Sequence, residues 1–212
     1  MPRQNRVTPA GEIIAAAERG TFMGNRGVLH DEQGNIKRAW QLKRWLVCVL
    51  EFRGRKRTVM TPGRYTELFF LDEATALAAG HRPCAECRHK SYVAFRDAWK
   101  SGNPGIAGSQ RPSADVIDQQ LHLDRLTLNR LKRSFIATLR ELPSGVFVKR
   151  EGQGRQAFLL WGDCLLAWSP GDYRQLLPRP GYEKVLVLTP KSTVCAIQAG
   201  YVPQVHVSAG LM

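Results

Sequence analysis

Acidic residues are scarce in this chain. It carries 18 aspartates and glutamates against 31 lysines and arginines, for a formal charge of +13 and an isoelectric point near 10.0. Such a balance favours polyanionic partners, of which nucleic acid is the commonest. Long apolar runs are also lacking. None approaches the roughly 20 residues that cross a bilayer, which leaves no helical membrane span. The opening residues, MPRQNRVTPAGEII, have no apolar h-region of a signal peptide, and the expectation is a cytoplasmic protein with no membrane partner. Cysteines are few and odd in number. Cys48, Cys84, Cys87, Cys164 and Cys195 show no disulfide-like spacing, so reduced thiols are expected. Glycine-rich phosphate loops and nucleophile elbows are missing, since Gly152-Gln153-Gly154 reads as a turn between strands.

The rest of the composition is that of a globular protein: 43% hydrophobic and 23% charged residues in a chain of 212, enough for a sizeable core in one or two domains. The organising stretch is 66–99, with Pro83-Cys84-Ala85-Glu86-Cys87 at its centre. Asp72 suits the N-cap of a helix over 73–79, and Gly80 its end. Beyond the cysteines, Tyr92, Phe95 and Trp99 recur at the spacing of one buried helical face. Two thiols in a tight turn between helices face one point, which suits a thiophilic metal such as zinc. They supply half of a tetrahedral set.

Along the chain, Thr8-Pro9 predicts a helix closed by Gly20. Residues 28–30 and 36–40 read as short strands, 45–52 as a clear one, and 57–60 and 65–71 as the following pair of an antiparallel meander. Its turns are basic: Arg53, Arg55, Lys56 and Arg57, joined by Arg82 and Arg88 near the cysteines, are candidate phosphate contacts. Residues 101–112, rich in glycine, proline and serine, predict a linker between a unit at 1–100 and another at 113–212. A long amphipathic helix is expected over 115–142. Strands at 146–148, 157–161, 164–168 and 185–188, a short helix from Thr189-Pro190 to Gly200, and a Val205-His206-Val207 strand complete a β-rich lobe. Cys48, Cys164 and Cys195 lie in apolar runs and read as small core residues.

Residues 68–87 resemble the metal-binding module of the Ada DNA-repair family. The matching residues are Phe69, Phe70, Glu73, Ala74, Ala78, Ala79, Gly80, Arg82, Pro83, Cys84 and Cys87. The resemblance implies a helix–knuckle–helix with zinc between two cysteine pairs, Cys84 and Cys87 being the second. Where the first pair belongs, residues 57–65 hold neither cysteine nor histidine. Either other ligands complete the site, with His30, His81, His89, His122 and Cys48 as candidates, or the metal is lost and the fold persists by packing. The family's methyl-acceptor chemistry belongs to the missing pair and is not implied.

Two enzymatic constellations compete. His30-Asp31-Glu32 followed by the Pro83–Cys87 turn has the residue types of a zinc base deaminase, with Glu32 as proton shuttle. Asp118 and His122, one helical turn apart, suit a metal-dependent nuclease, an aspartate orienting an imidazole; the plainer reading is the solvated face of a helix. The expectation is thus an α+β protein that contacts nucleic acid, DNA first, in repair or processing, with zinc as candidate cofactor. The alternatives are a nuclease, a deaminase, or an interaction scaffold with a relic metal site.

Overall fold

A computed structural model describes residues 1–55, 58–108 and 110–210. The fold is α+β, built on two six-stranded sheets. The first comprises β1 (Gln4–Val7), β2 (Ile13–Ala15), β3 (Phe22–Asn25), β4 (Leu46–Cys48), β5 (Leu68–Phe70) and β6 (Arg82–Pro83), in the order β2-β1-β5-β3-β4-β6. The second comprises β7 (Phe135–Thr138), β8 (Phe147–Lys149), β9 (Phe158–Trp161), β10 (Cys164–Trp168), β11 (Tyr173–Pro178) and β12 (Lys184–Val187), in the order β11-β10-β9-β8-β12-β7 and antiparallel throughout. The first sheet is mixed. β1 pairs with β5, and β4 with β6, in parallel, so the expected sequential meander is replaced by crossovers.

Helix α1 (Glu73–Ala78) is the hub, and every residue in it is buried. Leu77 belongs to the core under the second sheet, Ala74 and Ala78 to a cluster on that sheet's other face, and Ala76 to the core of the first sheet. A helix enclosed on all sides needs small residues where its neighbours approach, and alanines let both sheets close on it. Asp72 caps it as expected, its Oδ1 accepting from the Thr75 N–H at 2.8 Å and its Oδ2 from the Tyr173 hydroxyl at 2.6 Å. Gly80 follows at φ 96°, a left-handed conformation suited to glycine.

Helix α2 (His89–Gly102) buries Tyr92, Phe95 and Trp99, the face the spacing predicts. It packs on α5 (Lys191–Gln198), which also meets α4 (Ala114–Arg125). Between α2 and α4 lies the short α3 (Pro104–Ala107). Phe95 and Trp99 share one core with Ile117, Leu139, Val148 and Val194, so residues before and after 101–112 pack against each other.

Several expectations are overturned. No helix starts at Thr8. Pro9 and Ala10 turn the chain through Gly11, at φ 87°, into the β1–β2 hairpin, closed by Thr8 N–H to Glu12 O at 3.0 Å. The helix expected over 115–142 ends at Arg125. Leu126 is extended, Arg130 adopts φ 60°, and Leu126 bridges Lys132 across a turn. Leu128 and Leu131 sit on that turn, Leu128 at 99% exposure. Beyond them Phe135 and Ala137 face the core while Ile136 points out, the period of two that defines β7. Residues 58–60 turn, strand 45–52 shrinks to β4, and the two strands near His30 reduce to a His30–Ile36 bridge. Val205-His206-Val207 is not a strand, because the His206 N–H is drawn to Asp72 Oδ2 at 3.0 Å. Strand β11 is not marked by the sequence pattern. Among the described residues no helix is long and apolar enough to cross a membrane.

Candidate metal centre

The parallel pairing of β4 with β6 brings three cysteines together. Leu46 lies opposite Arg82 and Val47 opposite Pro83, and the Cys84 N–H donates to Val47 O at 2.9 Å. One residue further on, that register sets Cys48 beside Cys84. The chain then turns through Ala85-Glu86-Cys87 into α2, with Arg88 N–H closing on Cys84 O at 3.1 Å. The sulfurs of Cys48, Cys84 and Cys87 all lie within 4.8 Å of one another, and no fourth histidine, cysteine, aspartate or glutamate among the described residues joins them.

The surroundings favour thiolates. The Cys84 thiol is pulled down to about 5, first by the hydrogen bond from Cys48 and then, against burial, by the N–H groups of Cys87 and Glu86 aimed at its sulfur. Cys87 is lowered by Cys48 and by the Val49 N–H. Cys48 moves the other way, strongly up, because its proton is shared with Cys84 and then Cys87, and burial adds to the effect. Three sulfurs this close together, two of them buried and the third half-buried, cannot all be anionic without a cation between them. Soft thiolates with metal–sulfur bonds of about 2.3 Å suit zinc, which would replace the shared proton. The donor set therefore fits a metal ion, which these three residues could hold.

The three cysteines form part of the wall of a cavity of about 450 Å³. Asn25 from β3, Glu67 beside β5, and Phe52, Tyr65 and Phe69 also line it. Glu67 is buried, and its Oε2 accepts the Met60 N–H at 2.7 Å.

Cys84 and Cys87 thus meet as expected, and the third thiol comes from Cys48, a residue whose apolar run reads as core. Cys48 is indeed buried, but its sulfur faces the pair. The candidate histidine ligands are elsewhere engaged. His30 is hydrogen-bonded to Thr66 Oγ1 at 2.6 Å and Thr61 O at 3.3 Å. His81 is enclosed by Trp45 and Phe70 and lies 3.3 Å from Arg26 Nε, and burial drives it well below its ordinary value. His89 meets Ala85 O at 3.1 Å. His122 takes a hydrogen bond from Arg125 at 3.2 Å and packs edge-on against Trp40. Glu32 is exposed on the turn after His30 and does not line the cavity. The deaminase constellation is therefore not assembled.

The nuclease pair is not assembled either. Asp118 is buried and gives both oxygens to Arg82 rather than to His122, whose imidazole is lowered by burial and then by Arg125. That bidentate pair also removes Arg82 from the candidate phosphate contacts. Arg88 leaves them as well, being buried and paired with Glu73 Oε1 at 2.7 Å. Arg53 and Arg55 are exposed, the latter pairing with Glu86 at 3.0 Å. Lys56 and Arg57 lie outside the described residues. No family model, curated protein or solved structure matches this chain.

Proposed function

We propose that the protein is a metal protein in which Cys48, Cys84 and Cys87 hold one zinc ion and leave its fourth coordination position to the adjoining cavity, where a small molecule binds. The observation that carries this reading is the convergence of three sulfurs with no fourth histidine, cysteine, aspartate or glutamate beside them among the described residues. Structural zinc sites are closed by four protein ligands, whereas sites that act on a ligand keep a position free. The cavity, about 450 Å³, falls in the range of about 300–1,000 Å³ typical of small-molecule sites. Metal analysis of the purified full-length chain tests the proposal. One zinc per chain is expected, released by a strong chelator; a chain that neither carries nor takes up zinc or cobalt refutes it.

A second reading rests on the charge of +13: the basic surface outside the cavity contacts nucleic acid, DNA in the first instance, with the exposed Arg53 among the contacts, while Arg55 lies in the cavity wall against Glu86. The likeness of residues 68–87 to Ada-type modules points the same way. Binding to a short DNA duplex, followed by anisotropy, should weaken steeply with salt, log K falling by about 0.9 per phosphate neutralised for each tenfold rise. A flat response counts against it.

A further inference from the structure

The cavity beside the cysteines differs in charge from the rest of the molecule. Glu51, Glu67 and Glu86 stand in its wall. Among the described residues Arg55 is the one cation there, and Glu86 already pairs with it. Three thiolates around a divalent ion add a further net negative charge. Much of the remaining wall is apolar, from Met23, Leu46, Val49, Val59 and the aromatic rings. A chain with an excess of thirteen positive charges therefore places its thiol centre in an acid-lined, greasy recess.

Resting on the metal reading above, we propose that the fourth position takes an uncharged nitrogen or sulfur donor carried on a small, largely apolar molecule, and rejects anions, the phosphates of nucleic acid among them. A neutral donor adds no charge to a centre that is already negative. A phosphate or carboxylate would enter against the centre and against the three glutamates, in a cavity whose apolar walls weaken solvent screening. The aromatic and aliphatic lining gives the body of a neutral ligand surface to cover. On this view the basic exterior and the recess serve different partners.

Full-length protein loaded with cobalt(II) tests this at about pH 8, where imidazole is uncharged. Cobalt held by thiolates absorbs strongly, and its visible bands respond to a new ligand. Imidazole should shift those bands, and inorganic phosphate should need concentrations higher by on the order of tenfold or more. Glu51→Gln, which changes an exposed wall residue, should narrow that gap. Phosphate acting at or below the imidazole concentration, or bands that respond to neither probe, would overturn the ligand class while leaving the metal site standing. Absence of the cobalt–thiolate absorption would overturn the metal site itself, and this proposal with it.

Discussion

Arg82 and Asp118 meet in a bidentate ion pair, Nε to Oδ1 at 2.8 Å and Nη2 to Oδ2 at 2.7 Å, with side-chain exposures of only 2% and 5%. Arg82 stands two residues before Cys84, and Asp118 lies on α4, so the pair ties the thiol turn to a helix from the other half of the chain. Asp118→Ala leaves a guanidinium buried without its carboxylate. The expected cost is about 3–5 kcal/mol of stability, read from urea unfolding. Replacing both residues by apolar side chains of similar volume should cost much less. If the double replacement were as damaging as the single one, the pair would hold the turn by more than charge compensation.

The cysteines divide into two groups. Cys48→Ser, Cys84→Ser and Cys87→Ser should each lower bound zinc from about one per chain toward none under mild chelator competition. Cys164→Ser and Cys195→Ser should leave it unchanged, because neither sulfur belongs to the cluster. Chelation should also lower the unfolding temperature of the parent and have little effect on the Cys84→Ser protein. Equal zinc loss from all five variants would mean that metal uptake merely reports general integrity.

How legible this was depends on the range of each interaction. The Asp72 cap, the α1 alanines, Gly80 and the Tyr92–Phe95–Trp99 face are local features, and each appears where the spacing places it. The role of Cys48 is not local. Nothing within Trp45-Leu-Val-Cys-Val says that β4 pairs in parallel with a two-residue strand 36 positions later. A weak signal existed, namely a third thiol at the end of an apolar strand upstream of a two-cysteine turn that lacked ligands. The fate of 126–142 was hidden for another reason. Leu128, Leu131 and Phe135 satisfy helical spacing, and only tertiary pairing of 135–138 with β12 decides for a strand. Arg82 and Arg88 misled through charge, because a sequence does not show which arginines will find a buried carboxylate.

Gly24 links packing to the site. It lies in β3 between β4 and β5, opposite Val47, and an added Cβ would fall 2.1 Å from Leu46 O and 2.8 Å from a Phe70 ring carbon. Backbone cannot yield that much without moving β4, which ends at Cys48. Gly24→Ala should destabilise the fold by about 1–3 kcal/mol and weaken zinc retention in a competition titration. Gly34→Ala is a useful contrast, because no atom lies near its Cβ. Its φ of 83° imposes some local strain, but zinc retention should be unaffected. Unaltered zinc retention in Gly24→Ala would show that the thiol centre tolerates displacement of β4.

Lys132 makes stability depend on pH. Its ammonium donates to Ala78 O near the end of α1, close to Arg26 and Arg125, which stack on the Trp45 ring at 4.1 and 3.9 Å. Burial, then Arg26 and Arg125, bring Lys132 down to about 7 from its ordinary 10.5. Below about pH 7 both folded and unfolded chains hold that proton, and the half-buried charge, set beside two guanidinium groups, weighs against folding. Between about 7 and 10.5 the folded chain has released it while the unfolded chain keeps it, so unfolding free energy rises with pH. The Lys132 contribution to that slope approaches about 1.4 kcal/mol per pH unit at most. Arg26 and Arg125, each brought to about 9 chiefly by burial, add a slope of the same sign at the alkaline end. Urea unfolding of the parent and of Lys132→Met at several pH values from 7 to 10 separates these contributions. The variant should lose the rise between about 7 and 9 and keep the alkaline part. Parallel curves for the two proteins would place the Lys132 charge in solvent rather than in this cluster of cations.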